Sequence, residues 1–376
     1  MVRGRERMTS TSTSTSTSTS TSTCTCTWVM AVVVVAMSLG GCTPEIVDTT
    51  SLVDRPGVLA AIATPAETRP GAALGLRALV VGPDGPGPRA LDWALCTARP
   101  PLTSLGALAP DCLGADGAAL VPIGTGDAAT TMLPSDVCQT FGPDQPAPKP
   151  GQPAGRPADA DPTGGYYQPI RIFDPDAGDR RTTLSFEARA LCHVATATPE
   201  QQAEFDRRYR LNENPVVAAV GLADGTPLPS LESDPASVTT VAAGAALDLR
   251  VSWLFCPNPG EDTCGDGVCG IDETAADCPA DCMTPAGCGG AETYLWFDPV
   301  TRAFGPRRES IIVSWFATAG VFATARTGRN EAEAAVAADS GNVWTAPAAP
   351  ADVWLWIVLR DARGGVTWSS HLLRVE

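Results

Sequence analysis

A chain of 376 residues, 44% of them hydrophobic and 6% aromatic, is long enough for about two globular domains and apolar enough to give each a core. With 42 acidic against 26 basic residues its formal charge is −16, which argues against nucleic acid and anionic lipid headgroups as partners, because both are bound through basic patches. Thirteen cysteines point to an oxidising compartment and hence to export.

Arg3, Arg5 and Arg7 give the chain a positive start, and residues 9–23 alternate Thr with Ser and have nothing apolar to bury. Residues 28–39 are then apolar, a run too short for a bilayer, which takes about 20 residues. This is the order of an export leader, and it closes on Leu39-Gly40-Gly41-Cys42. That quartet resembles the lipobox of bacterial lipoproteins, in which a Leu and two small residues precede a cysteine that is lipidated and becomes the mature N-terminus. The resemblance implies that residues 1–41 are removed together with Cys24 and Cys26. Cys42 then carries the lipid, palmitate included, and residues 42–53 form a tether. Several acyl chains anchor a protein stably where one does not. Thr43 in place of an Asp implies sorting to the outer membrane of a Gram-negative envelope. The alternative is an ordinary cleaved leader that leaves Cys42 free or disulfide-bonded.

The remaining 335 residues read as two copies of one unit. Val58-Leu59-Ala60-Ala61-Ile62 recurs as Val216-Val217-Ala218-Ala219-Val220, and Gly71-Ala72-Ala73-Leu74-Gly75-Leu76-Arg77 recurs as Gly244-Ala245-Ala246-Leu247-Asp248-Leu249-Arg250. Leu91-Asp92-Trp93 matches Val313-Ser314-Trp315, and a weaker fourth pair sets Tyr166-Tyr167-Gln168-Pro169 against Trp344-Thr345-Ala346-Pro347. Across the first three pairs the offset grows from 158 to 173 to 222, so the second copy carries two insertions, the later one holding six cysteines.

Within the copies, Leu74, Leu76, Ala78 and Val80 alternate with residues of the other face, which predicts a strand ending at the Gly82-Pro83-Asp84-Gly85 turn. Ile311, Val313 and Trp315 alternate likewise, and residues 353–359 are apolar on both faces, as in a strand at the centre of a sandwich. Asp361-Ala362-Arg363-Gly364-Gly365 turns the chain into a last strand ending at Val375. Between the copies, Thr198-Pro199-Glu200-Gln201 has the form of a capping box and predicts a helix to about Arg210.

Trp315, Gly320 and Phe322, then Trp344-Thr345-Ala346-Pro347, then Asp361 with Gly364-Gly365 and the closing Val375 resemble bacterial immunoglobulin-like and PKD-like domains. The resemblance covers residues 212–376 and, through the repeat, more loosely 54–198. It implies an all-β protein of two immunoglobulin-like sandwiches joined by a short helix, with a disulfide-rich insert in the second. The expected domains are 54–198, a connector at 199–213, and 214–376 with the insert at 256–288. Such families are spacers, adhesion modules or glycan-binding accessories and bring no catalytic residues with them.

Ten cysteines fall into two even groups: Cys96, Cys112, Cys138 and Cys192, then Cys256, Cys264, Cys269, Cys278, Cys282 and Cys288. They are expected to pair within each group, in a connectivity that spacing does not choose. The second group resembles a short disulfide module of secreted proteins, distantly like Notch-type calcium-binding repeats. With too little apolar content for a core, such a segment needs its disulfides. Asp262, Asp266, Asp272, Glu273, Asp277 and Asp281 crowd around it, and Asp266, Glu273 and Asp281 are the candidate calcium ligands, since hard oxygens suit that ion. The other reading is a disulfide knot with a solvated acidic surface.

Seven of the eight tryptophans after the leader lie in the second copy. Trp354, Trp356 and Trp368 could form a stacking face for glycans or the core of a sandwich. His193 and His371 stand in different copies without a motif, and no nucleophile elbow, His-Glu-x-x-His or phosphate-binding loop is present in the sequence. The sequence therefore predicts no enzyme. It predicts a lipid-anchored envelope protein acting as a structural, protein-binding module, the alternatives being a glycan-binding lipoprotein or an accessory subunit of a secreted enzyme.

Overall fold

The structure is a computed structural model that describes residues 50–114, 116–147, 155–176, 183–258, 264–283 and 287–376. The leader, Cys42, most of the tether and Asp262 lie outside the described residues. Residues Asp48–Glu376 form one compact unit.

The first sandwich is built from β1 (Gly57–Thr64), β2 (Glu67–Thr68), β3 (Ala73–Gly82), β4 (Gly85–Pro86), β5 (Asp92–Cys96), β6 (Leu120–Thr125), β7 (Ala128–Met132), β8 (Gly165–Phe173) and β9 (Thr183–Leu191). One sheet sets β3 between β1 and β7, with β4 folded back on its end, and the facing sheet runs β2-β9-β8-β5-β6. The alternation in β3 places Leu74, Leu76, Ala78 and Val80 on its inward face, where they meet Trp93 of β5 and Ile170 and Ile172 of β8.

The second sandwich repeats the plan with β10 (Val217–Leu222), β11 (Thr239–Val241), β12 (Ala246–Trp253), β15 (Ile311–Ala317), β16 (Val321–Phe322), β17 (Arg326–Arg329), β18 (Asp339–Thr345), β19 (Ala351–Asp361) and β20 (Val366–Val375). Between β12 and β15 the insert is followed by a separate hairpin of β13 (Thr293–Asp298) and β14 (Ala303–Arg308). Its sheets run β10-β12-β18-β16 and β11-β20-β19-β15-β17. In each copy the first strand pairs antiparallel with the third, a short strand joins the last one in parallel, and a strand with a buried Trp lies second from the other edge. That is the strand order of an immunoglobulin-like sandwich.

The three stronger repeat pairs fall on β1 and β10, on β3 and β12, and on β5 and β15. The fourth does not. Tyr166–Pro169 lies in β8, whose counterpart is β19, whereas Trp344 and Thr345 end β18 in the opposite sheet. The two tetrapeptides share an aromatic-to-proline pattern and not a position.

The sandwiches pack side by side, not end to end. On β19, Val353, Leu355, Ile357 and Leu359 fill the core of the second sandwich. The alternate residues Trp356 and Val358 join Val366 and Trp368 against Ala60, Leu79 and Val81 on the outer faces of β1 and β3. This explains why both faces of residues 353–359 are apolar: each face has its own core. Val53 belongs to the same joint, and the preceding chain is pinned to β15, the Val53 amide donating to the Ala317 carbonyl (2.9 Å) and the Ala317 amide to that of Ser51 (2.9 Å). Thus the chain enters at the Ala317 end of β15, while Ile311, at the other end, pairs with Asp361 beside the insert.

Between the sandwiches α1 (Pro199–Arg208) begins in a capping box: the Gln201 amide donates to the Thr198 hydroxyl, and the Gln201 side chain accepts from the Thr198 amide. It ends two residues short of Arg210, where the chain turns extended at Tyr209. Its buried Phe205 stacks on Tyr209 and on Phe304 of β14.

Candidate functional site

The ten cysteines form five disulfides, each within its own group. Cys96–Cys112 closes the loop after β5, and Cys138–Cys192 ties the short helix Val137–Thr140 to the end of β9. In the insert, Cys256–Cys288 staples the two ends, and Cys264–Cys278 and Cys269–Cys282 cross inside it. The insert contributes one aliphatic peg, Ile271, which docks among Leu191, Phe205, Tyr209, Leu295 and Phe297. Arg210, just beyond α1, adds a polar tie by donating to the Glu273 carbonyl (2.6 Å). The insert is therefore locked internally by covalent bonds and braced on the connector.

Its carboxylates are turned inward. Asp281, buried, accepts the backbone amides of Gly265 and Gly267, and both glycines have positive φ (100° and 85°), which a side chain would strain. Glu273, also buried, accepts the amide of Gly270 (3.0 Å), and exposed Asp266 accepts that of Val268 (2.9 Å). Possible ligand atoms of Cys264, Glu273, Cys278 and Asp281 lie within 4.8 Å of one another, but the two sulfurs are bonded together. Two of the three candidate calcium ligands thus come together and Asp266 is outside the group. Among the described residues these three carboxylates cap backbone amides of the loop, and Glu273 and Asp281 are the two whose oxygens lie close enough to share an ion.

The tryptophan face is covered. Trp356 is 0% and Trp368 9% exposed, and Trp354 packs on Gly85 so closely that a Cβ there would lie 2.4 Å from its ring. The Arg77 guanidinium sits 4.4 Å from the centre of the Trp368 ring. The expectation that Trp354, Trp356 and Trp368 offer a glycan platform is corrected on this ground: the first sandwich occupies the face a sugar would need.

Where the sandwiches, the connector and the insert meet lies a buried ionic cluster absent from the sequence expectations. Glu67 of β2 accepts from Arg189 of β9 (2.8 Å), from the Tyr209 hydroxyl (2.8 Å) and from the Asn212 amide (2.9 Å). Arg363, in the turn between β19 and β20, donates to Glu309 (2.6 Å) and Glu292 (2.7 Å), the residues flanking the β13–β14 hairpin, and stands 4.0 Å from Glu67. Asp361 accepts the Arg363 and Gly365 amides (2.8 Å each) and the Asn212 side chain (3.2 Å). Four carboxylates and two guanidiniums, none more than 8% exposed, are thereby tied together. Charges are almost never fully buried unless paired. Here the pairing joins β2, β9, the connector, the final turn and the hairpin.

The acids outnumber the cations, and burial dominates their protonation. Burial pushes Glu292 up to about 6 against the pull of Arg363, and it raises Glu309 and Asp361 in the same direction. Arg363 is held well above its ordinary value: burial pulls it down, and Glu309, Tyr209 and Glu292 more than offset that.

The histidines stay apart. His371 is buried, its Nδ1 donating to the Pro229 carbonyl (2.8 Å) and its Nε2 facing the Ser369 hydroxyl (2.9 Å), and burial lowers its pKa. His193 lies 3.7 Å from Asp144 at the surface of the first sandwich.

No family model and no curated protein matches the chain. Among solved structures it is similar to the D0-D1 domain of intimin, with 10% identity over 84% of this chain and 98% of that one and a TM-score of 0.19. It is similar to the C-terminal domain of the Streptococcus pyogenes antigen I/II-family protein AspA (9% identity, 86% and 99% covered, TM-score 0.21) and to the Yersinia pseudotuberculosis adhesin InvE (8%, 84% and 58%, TM-score 0.18). Superpositions this loose carry no argument about activity, and the sandwich assignment stands on the chain's own strand order.

Proposed function

We propose that the chain is an exported, non-catalytic envelope protein, held to the membrane by lipid on Cys42, whose fused sandwiches form a rigid platform presenting the cysteine-rich insert to a protein partner. The observation that supports this most directly is the bracing of the insert. Two crossed disulfides, the Ile271 peg, the Arg210 tie and the Gly287 amide donating to Glu213 of the connector (2.7 Å) hold it without relying on a core of its own. Rigid presentation cuts the ordering cost of association.

The test is cross-linked capture from native envelopes with the chain from Thr43 onward, wild type against a double variant, Met283→Glu with Val300→Glu. Both positions are exposed, at 76% and 88%, so the fold should be untouched. One protein recovered by the wild type and lost with the variant is the expected result, and equal or absent recovery would overturn it. Repeating the capture with a calcium chelator tests Glu273 and Asp281 as ligands, and unchanged recovery removes calcium from the account. Anchoring is read separately: Cys42→Ala should move the protein from the membrane to the soluble fraction.

A further inference from the structure

The entry point of the chain and the insert lie at opposite ends of the sandwich block. Ser51 and Val53 are bonded to Ala317 at one end of β15. At the other end Ile311 pairs with Asp361, next to Arg363 and the two glutamates that flank the β13–β14 hairpin. The seven residues of β15 span about 20 Å and the eleven of β19 about 34 Å. The loop between β18 and β19, with exposed Ala349, and the Asp84–Gly85 turn against Trp354 share the entry end. The hairpin tip, with exposed Val300, lies with α1 at the insert end, where the Gln201 side chain donates to the Arg302 carbonyl (2.6 Å) and Arg302 donates to that of Thr196 (3.0 Å).

We infer that the anchored molecule stands with its insert, hairpin and α1 outermost. The inference rests on the lipid-anchor reading and adds a direction to it. Only eight residues separate Cys42 from Ser51, so the tether reaches at most about 30 Å and keeps the Ala317 end nearest the lipid. Without residues 1–41, which carry three Arg and one Glu, the chain has 23 basic and 41 acidic residues, and its formal charge of −18 repels anionic headgroups and opposes a block lying flat.

The experiment couples the chain from Cys42 onward, which keeps the whole compact unit, to maleimide lipid in phosphatidylcholine–phosphatidylglycerol vesicles that also carry a nitroxide-headgroup lipid. Coupling is specific because every later cysteine is in a disulfide. A fluorophore is placed through a keto amino acid at Ala349 or at Val300. Quenching is expected to be several-fold stronger at Ala349. Coupling instead through Val300→Cys in a Cys42→Ser chain should relieve the quenching at Ala349. Equal quenching at both positions, stronger quenching at Val300, or no relief on moving the attachment would overturn the orientation. Because the coupling is chemical, none of these results depends on native acylation, which the mass of the mature N-terminus reports by itself.

Discussion

Arg363 is 3% exposed and divides its guanidinium among Glu292, Glu309 and, more distantly, Glu67. Removing one partner of a buried ionic group costs far more than a surface pair contributes, because the charges left behind have no solvent. Arg363→Met should therefore destabilise the protein by about 3–5 kcal/mol, read as a fall in the urea midpoint. The same cluster sets a pH dependence. The value of about 6 for Glu292 stands above the ordinary 4.5, so the native state binds a proton that the unfolded chain has already released. The stability this contributes is complete below about pH 4.5 and is lost as pH rises through about 6. Glu309 is shifted the same way and carries the loss upward in pH. The unfolding free energy from urea titrations should fall between pH 4 and pH 8, by on the order of 2 kcal/mol for Glu292. In Glu292→Gln and Glu309→Gln, where the side chain cannot ionise, the fall should be smaller. An equal fall in both variants would remove these residues as its source.

At the scale of elements, the insert and the strands obey different rules. A strand is held by ladder bonds and a buried face, whereas the inner loops of the insert are closed by disulfides over 13 and 14 residues. Closing such loops constrains the unfolded chain by about 3 kcal/mol each. Replacing Cys269 and Cys282 together by Ser should raise amide exchange in residues 264–283 and leave β12, β15 and β19 protected; exchange rising equally in those strands would show that the insert is part of the common core. The strands themselves were legible in the sequence because a period of two survives burial of one face, as Leu74 to Val80 and Ile311 to Trp315 show. The helix was legible from Thr198, Pro199 and Gln201, since a cap is a local structure. The cysteine pairing was not, because it depends on which loops the fold brings together. Nor was the ionic cluster, whose members are spread from Glu67 to Arg363 and meet only through tertiary packing. The covered state of Trp356 and Trp368 was hidden for the same reason: an apolar outer face looks alike in sequence whether a ligand or a neighbouring sandwich covers it.

Across the whole molecule, the apolar joint of Trp356, Val358, Val366 and Trp368 with Ala60, Leu79 and Val81 packs the two copies into one compact unit. Heating should therefore give a single calorimetric transition whose measured and van't Hoff enthalpies agree. Leu79→Asp, which buries an unpaired charge in that joint alone, should lower the transition and separate it into two; two transitions in the wild type would mean that the joint is not cooperative. Packing side by side also decides how pulling is resisted. Force applied between a membrane-held N-terminus and a partner gripping the insert reaches β1, which runs from the entry end toward the insert end paired along its length with β3. Their hydrogen bonds lie across that line and are strained together in shear instead of being peeled apart singly. Such a block would yield little in length under tension, and under the proposed anchoring a tug on the insert would reach the envelope nearly undamped.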